Sequence, residues 1–86
     1  MSNEHEPSPT PRYARILAGS VGIAREMQNP FVGAEHLFLA IIRDRDSIPT
    51  QVLAQVADLS QIESSLRELM DSKAYRMSAQ DVQDPG

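Results

Sequence analysis

Apolar side chains recur at three- and four-residue intervals from Thr10 onward, and no segment alternates with period two. Tyr13, Ile16, Leu17, Ser20, Val21, Ala24 and Met27 form a stripe that predicts a first helix over about residues 10–28. Thr10 followed by Pro11 suits its start, pairing a capping hydroxyl with a proline at the first helical position. Asn29-Pro30 predicts its end, because a residue before proline is steered away from helical angles. A second helix is predicted over about residues 34–44. Leu37, Phe38, Ala40, Ile41 and Ile42 leave it almost no polar face before Arg43, so it should be central and buried. Ser47 and Pro49 open a third, over about 48–57, carrying Val52, Leu53 and Val56. A fourth, over about 59–72, has the stripe Leu59, Ile62, Leu66, Leu69 and Met70. Asp58 and Gln61 have the spacing of a capping box for it, and Glu63 and Arg67 that of an i,i+4 pair on its wet side. Four helices with short connections predict an all-α, compact bundle.

Gly19 and Gly22 interrupt the first helix, each at a cost of ~1 kcal/mol against alanine. Either they are tolerated weaknesses on a solvent face, or they admit the close approach of another helix. The flanks differ in composition. Residues 1–9 are polar, acidic and proline-rich, and residues 75–86 are largely polar. Both are expected to be disordered tails, since neither buries enough to offset an ordering cost of ~1–2 kcal/mol per residue. The folded unit should span residues 10–74. Met1 and the trailing tail are those expected of a complete small protein.

A chain of 86 residues suffices for one small domain. Such a domain buries only about 60% of the surface its unfolded chain exposes. With no cysteine there is no disulfide to help, so packing or association with another chain must supply stability. The net charge is −4 and the arginines are scattered, which argues against a nucleic-acid partner. The longest apolar run, Leu37 to Ile42, is too short to span a membrane, and the N-terminus lacks the pattern of a secretory signal. No membrane partner is expected, and a cytoplasmic location is the default.

The most distinctive chemistry lies in Gly33–Ile42, GAEHLFLAII, where Glu35 and His36 head an otherwise apolar run. A glutamate in the first turn of a helix is favoured by the helix dipole alone. It is also an available carboxylate. His36, at the start of a buried helix, reads as a structural histidine that caps backbone groups or bonds across to another helix. Phe31 and Phe38 read as core, with exposure of Phe31 beside Glu35 as the alternative. Adjacent residues do not share a helix face, and the other histidine, His5, lies in a tail, so no metal or cofactor is expected. No nucleophile–base–orienter set appears, and no GxxxxGK(S/T) loop, so the chain does not read as an enzyme.

The order of parts resembles one repeat of the Clp N-terminal domain, the receiving module of certain AAA+ unfoldases. TPRYARILAGSVGIAREM, NPFVGAEHLFLAII and TQVLAQVADLSQIESSLREL carry the resemblance, most specifically at Gly33, Glu35, His36 and Leu37. It implies a four-helix half-repeat without the usual second repeat or motor, and RDRDS stands where the family has a glycine before its third helix. In Clp N-domains of Gram-positive unfoldases, the glutamate of the EH motif helps hold a phosphoarginine guanidinium, while groups at the first helix start meet the phosphate. By position these are Glu35 and Thr10, with Arg12 as a further phosphate contact and Phe31 and His36 flanking the glutamate. A carboxylate matches the guanidinium fork, and a helix N-terminus favours an anion. The implied function is a binding module for ligands of the unfoldase N-domain: phosphoarginine proteins, adaptors or Clp-targeting cyclic peptides. It would act as an accessory or a decoy. A lone repeat leaves bare the flank that a second would cover, so a homodimer is expected, with the Gly19/Gly22 face as a candidate seam. The alternative is a dimerising scaffold unrelated to Clp substrate delivery.

Overall fold

Thr10 and Pro11 begin α1 (Pro11–Glu26) in the computed structural model, which describes residues 6–72 and Tyr75. The Tyr13 N–H donates to Thr10 Oγ1 at 3.1 Å, satisfying one of the orphan donors of the first turn. Three helices follow: α2 (Ala34–Arg43), α3 (Ile48–Val56) and α4 (Leu59–Met70). No strand occurs among the described residues, so the architecture is the all-α bundle that the periodicity predicts. Residues 6–9 are exposed and lack regular structure. The rest of the expected tails, residues 1–5 and 76–86, lies outside the described residues, as do 73 and 74 of the expected folded unit.

The end of α1 has a specific geometry. Gln28 takes a left-handed φ of 61°. Its N–H donates to the Arg25 carbonyl, and the Asn29 N–H reaches back to the Ala24 carbonyl at 2.9 Å. These two bonds make a Schellman motif, with glutamine where glycine is usual. Pro30 then holds Asn29 away from helical angles. The chain reverses, and α2 returns antiparallel to α1.

Helix α2 is central, packing on α1, α3 and α4. Its Leu39 and Ala40 join Ile23 of α1 and Met70 of α4 in the core cluster, flanked by Ile16, Met27, Leu66 and Tyr75. Ser20 is buried in α1 and satisfies its hydroxyl on the Leu17 carbonyl. Gly19 faces Ala40: a Cβ built there would meet the Ala40 Cβ at 3.7 Å, an ordinary contact, and one at Gly22 would meet open space. Neither glycine is therefore required by helix packing within the chain.

The turn from α2 to α3 explains how RDRDS replaces a glycine. Asp44 caps α2 in an extended conformation and needs no positive φ. Its two carboxylate oxygens accept from Arg12 Nη1 at 2.7 and 2.9 Å, which ties the start of α1 to the end of α2. Ser47 and Thr50, both buried, share a hydroxyl–hydroxyl bond at 2.7 Å. Thr50 donates to the Ile41 carbonyl and accepts the Ser47 hydroxyl proton, while the Ser47 backbone N–H takes the Asp44 carbonyl, so the last carbonyls at the end of α2 are satisfied.

Four local expectations are corrected. Asp58 accepts from the Ser60 N–H, not through a capping box with Gln61. Glu63 pairs with Arg43 of α2 at 2.9 Å rather than with Arg67, because α4 lies against α2 and brings that partner closer. Phe38 is 39% exposed rather than core, since α4 covers only one side of it. The stripes of α1 and α3 are only partly used: Tyr13, Leu17 and Val21 on α1, and Ile48, Val52 and Val56 on α3, remain exposed.

The left-handed glutamine has a measurable cost. A non-glycine residue pays roughly 1–2 kcal/mol for that conformation, and glycine does not. Part of the gain is lost to glycine's larger unfolded-state entropy. Gln28→Gly should therefore stabilise the domain by up to about 1 kcal/mol, read as a higher urea midpoint at unchanged slope.

Candidate functional site

The N-terminus of α2 is organised by its third residue. His36 is completely buried, at 0% relative exposure. Its Nδ1 accepts the Gly33 N–H at 2.9 Å, so the histidine closes the helix entry that a glutamate or glutamine usually closes in a capping box. An acceptor Nδ1 fixes the tautomer, and the proton therefore sits on Nε2. Nε2 donates to Asn29 Oδ1 at 2.8 Å, across to the segment leaving α1. The Phe31 ring packs edge-on against the imidazole, with centroids 6.0 Å apart. His36 thus caps the backbone as a structural histidine is expected to, and its second bond goes to the segment that follows α1 rather than to another helix.

Glu35 occupies the same first turn, where the helix dipole favours its charge. It is half-buried, and it forms no ion pair with any described residue. Its carboxylate folds back over Gly33. A Cβ at Gly33 would lie 3.2 and 3.3 Å from the two oxygens, tighter than an ordinary contact. Gly33 has φ −120°, which any residue adopts, so what it supplies is room for the Glu35 carboxylate. The Tyr75 ring sits 6.0 Å from that of Phe31 and packs against the core cluster. The Tyr75 hydroxyl is buried and meets no partner at hydrogen-bond geometry. Burial and the adjacent Glu35 carboxylate both push its pKa above the ordinary tyrosine range.

The five residues singled out in the sequence do not converge. Glu35, His36 and Phe31 form one cluster at the α1–α2 turn. Thr10 and Arg12 lie at the other end of the antiparallel pair. Arg12 reaches Asp44, which follows the end of α2, whereas His36 in its first turn reaches Asn29, which follows the end of α1. The nine-residue span from Glu35 to Arg43 corresponds to about 12 Å of helix at 1.5 Å per residue. Thr10 is committed to capping and Arg12 to Asp44. Within one chain, the guanidinium half and the phosphate half of the expected site are therefore apart.

Sequence reasoning passed over Asn29 and Tyr75. Asn29 carried a signal, since it precedes a proline within the stretch that holds the Glu-His pair. Tyr75 fell in the segment read as a tail and carried none. Beside Thr10 and Arg12 lies a second feature, an open apolar cavity of about 540 Å³ lined by Tyr13, Ile16, Leu37, Ile41, Ile48 and Pro49. Among the described residues no three histidine, aspartate or glutamate side chains are grouped to hold a metal, and no helix is long and apolar enough to cross a membrane.

Burial lowers the pKa of His36, the Glu35 charge opposing it in part. A group whose folded pKa lies below its unfolded value, about 6.5 for histidine, contributes stability that is complete above that value. The contribution is lost as pH falls through the folded pKa, because the unfolded chain takes up the proton first. Thermal unfolding followed from pH 8 to 5 should therefore show a midpoint that begins to fall near pH 6.5. His36→Gln should flatten that decline while lowering the midpoint at pH 8.

Comparison with known proteins matches this sequence to one family. The profile of the Clp repeat (R) N-terminal domain covers residues 2–83. An ATP-dependent Clp protease ATP-binding subunit ClpA homolog of Guillardia theta is 33% identical over 66 residues, 76% of this chain and 8% of the relative. The chloroplastic chaperone protein ClpC2 of Oryza sativa subsp. japonica is 34% identical over 71 residues, 81% of this chain and 8% of the relative. An ATP-dependent Clp protease ATP-binding subunit ClpC of Staphylococcus aureus is 34% identical over 47 residues, 55% of this chain and 6% of the relative. The chain thus spans less than a tenth of the length of these relatives. No solved structure matches it significantly. The profile covers nearly the whole chain and the fold is the four-helix bundle that the motif implies, so the chain belongs to the Clp repeat N-terminal domain family.

Proposed function

We propose that this chain is a protein-interaction module of the Clp system that binds ligands of the unfoldase N-domain through Glu35. It acts as an accessory that presents such ligands, or as a decoy that withdraws them by mass action. The observation that carries this reading is the Glu35 carboxylate itself: half-buried in the first turn of α2, without an ion-pair partner among the described residues, and one residue before the His36 ring against which Phe31 packs. A carboxylate in such surroundings suits a guanidinium, which pairs with the acid and stacks on the aromatic ring. Phosphoarginine proteins, arginine-bearing adaptors and cyclic peptides all remain within this reading. The separation of Thr10 and Arg12 from Glu35 favours the guanidinium over the phosphate as the group recognised by a single copy. The names of the Guillardia theta and Staphylococcus aureus relatives speak of ATP binding, and this sequence carries no phosphate-binding loop for it.

Calorimetry with phosphoarginine tests the assignment. Wild type should release heat of binding and Glu35→Ala should not. Equal heats in the two would remove Glu35 from the site. No heat in either would remove phosphoarginine and leave adaptors and peptides, to be tested with the same pair of proteins.

A second reading, a dimerising scaffold, is favoured by the exposed apolar stripes. Tyr13 is 52% exposed, Ile48 73% and Val56 79%. Apolar surface arranged in stripes, rather than as scattered single residues, marks an interface. A twofold pair closes it, because identical faces then meet. The Tyr13–Leu17–Val21 side of α1 is a better seam than the Gly19/Gly22 side, since Gly19 already faces Ala40. Sedimentation at micromolar concentration should give a dimer for wild type and a folded monomer for Val21→Glu. A wild-type monomer would count against any self-association role.

A further inference from the structure

Gly33 sits between two acceptors. Its N–H donates to His36 Nδ1 at 2.9 Å, and the Glu35 carboxylate folds over the same residue, its oxygens 3.2 and 3.3 Å from where a Cβ would stand. The imidazole holds the bond. The carboxylate has no ion pair among the described residues.

The imidazole bond exists in one protonation state only. Nδ1 accepts because it carries no proton. A proton there would face the Gly33 N–H, donor against donor, so the ring takes up a second proton only by leaving Gly33. The ring is fully buried, which also disfavours its charged form. Few groups surround it. Asn29 and Phe31 face it from the α1–α2 turn, and neither titrates. Tyr75 lies beyond Phe31, its phenol uncharged. Glu35, on the same helix, is the one charge that acts on the ring, and α1, α3 and α4 bring none.

We propose that Gly33, Glu35 and His36 form a proton-driven exchange at the start of α2: when His36 takes up its second proton, Glu35 takes over the Gly33 N–H, pairs with the imidazolium, and is thereby withdrawn from cationic ligands. This names a regulation of the Glu35 site and rests on that reading for the ligand, though not for the exchange itself. Each partner supplies a drive. The freed Gly33 N–H is a helix-start donor that needs an acceptor. An imidazolium beside a carboxylate favours the carboxylate's charge. Glu35 stays in the first turn, where the helix dipole favours it, so α2 keeps its start while the capping group changes. A proton from solvent thus competes with the cationic ligand. Apparent affinity falls with the fraction of molecules in which Glu35 is free, by about tenfold per pH unit once His36 is mostly protonated.

Nuclear magnetic resonance on the full chain, titrated from pH 8 to 5, reads the exchange without ligand. The chain holds two histidines, so His5→Gln leaves His36 as the sole imidazole. In that background the Gly33 amide and the Glu35 side-chain carboxyl carbon should move with the His36 ring, at one midpoint below the ordinary histidine value of about 6.5. The amides of Ile23 and Leu39, in the core, should stay native. His36→Gln keeps a capping-box side chain that gains no proton, so in it neither Gly33 nor Glu35 should follow that course. The exchange is overturned by a ring that stays neutral to pH 5, by a ring that titrates alone, by a Glu35 carboxyl that moves equally in His36→Gln, or by loss of the Ile23 and Leu39 signals at the same midpoint. A capped Gly-Arg-Gly tripeptide, as guanidinium probe, reads the consequence for binding. Its dissociation constant should weaken several-fold from pH 7.5 to 5.5 for the wild type and change little for His36→Gln. Equal weakening in both, or none in either, overturns the withdrawal of Glu35. Should the probe bind neither protein at pH 7.5, guanidinium recognition by Glu35 falls, and the resonance titration alone decides for or against the exchange.

Discussion

The neutral imidazole of His36 is the constraint on which the rest of this small domain depends. It accepts a backbone N–H from Gly33 and donates to Asn29 with no water in reach. Both bonds are needed, because a buried ring nitrogen without a partner costs the desolvation of that group. The Gly33 bond fixes where α2 starts. The Asn29 bond fixes that start against the end of α1, whose Schellman turn presents the asparagine. Glu35 sits on the turn so built, and Gly33, by lacking a Cβ, leaves its carboxylate room.

The opposite end of the α1–α2 pair is closed by a different chemistry. Arg12 and Asp44 join the two helices through a half-exposed ion pair, and Ser47 and Thr50 take up the final carbonyls of α2. The ion pair is the weaker element, because partly exposed charges are screened by solvent. The hydroxyls matter more, since Ser47 and Thr50 are both buried and Thr50 satisfies a carbonyl of α2. Between these two polar closures lies a small apolar cluster of Ile23, Leu39, Ala40 and Met70. So limited a core leaves much of the apolar surface of α1 and α3 outside.

These features join fold to function in a Clp repeat domain. The same histidine that makes α2 start where it does also orients Phe31, which touches both His36 and Tyr75. The acid proposed for recognition is therefore placed by groups that are spent on structure. A substitution in the supporting set acts on the site indirectly, through geometry, and a substitution of Glu35 acts directly.

Sequence by itself determined the local structure here. Thr10-Pro11, Asn29-Pro30 and the three-four spacing of apolar residues placed all four helices, because caps, prolines and periodicity act within a few residues of themselves. The GAEHL motif located Glu35 and His36 and carried the family. Tertiary structure alone decided which faces were used. A helical stripe says that a face is apolar and not whether anything covers it, and so Leu39 is buried while Tyr13, Val52 and Phe38 are not. Long-range pairing was equally out of reach. Arg43 took Glu63 from its local partner, Arg12 went to Asp44 and away from Glu35, and Tyr75 came to the site from a segment that read as a tail. Each of these depends on how the chain brings distant residues together, which periodicity and capping do not encode.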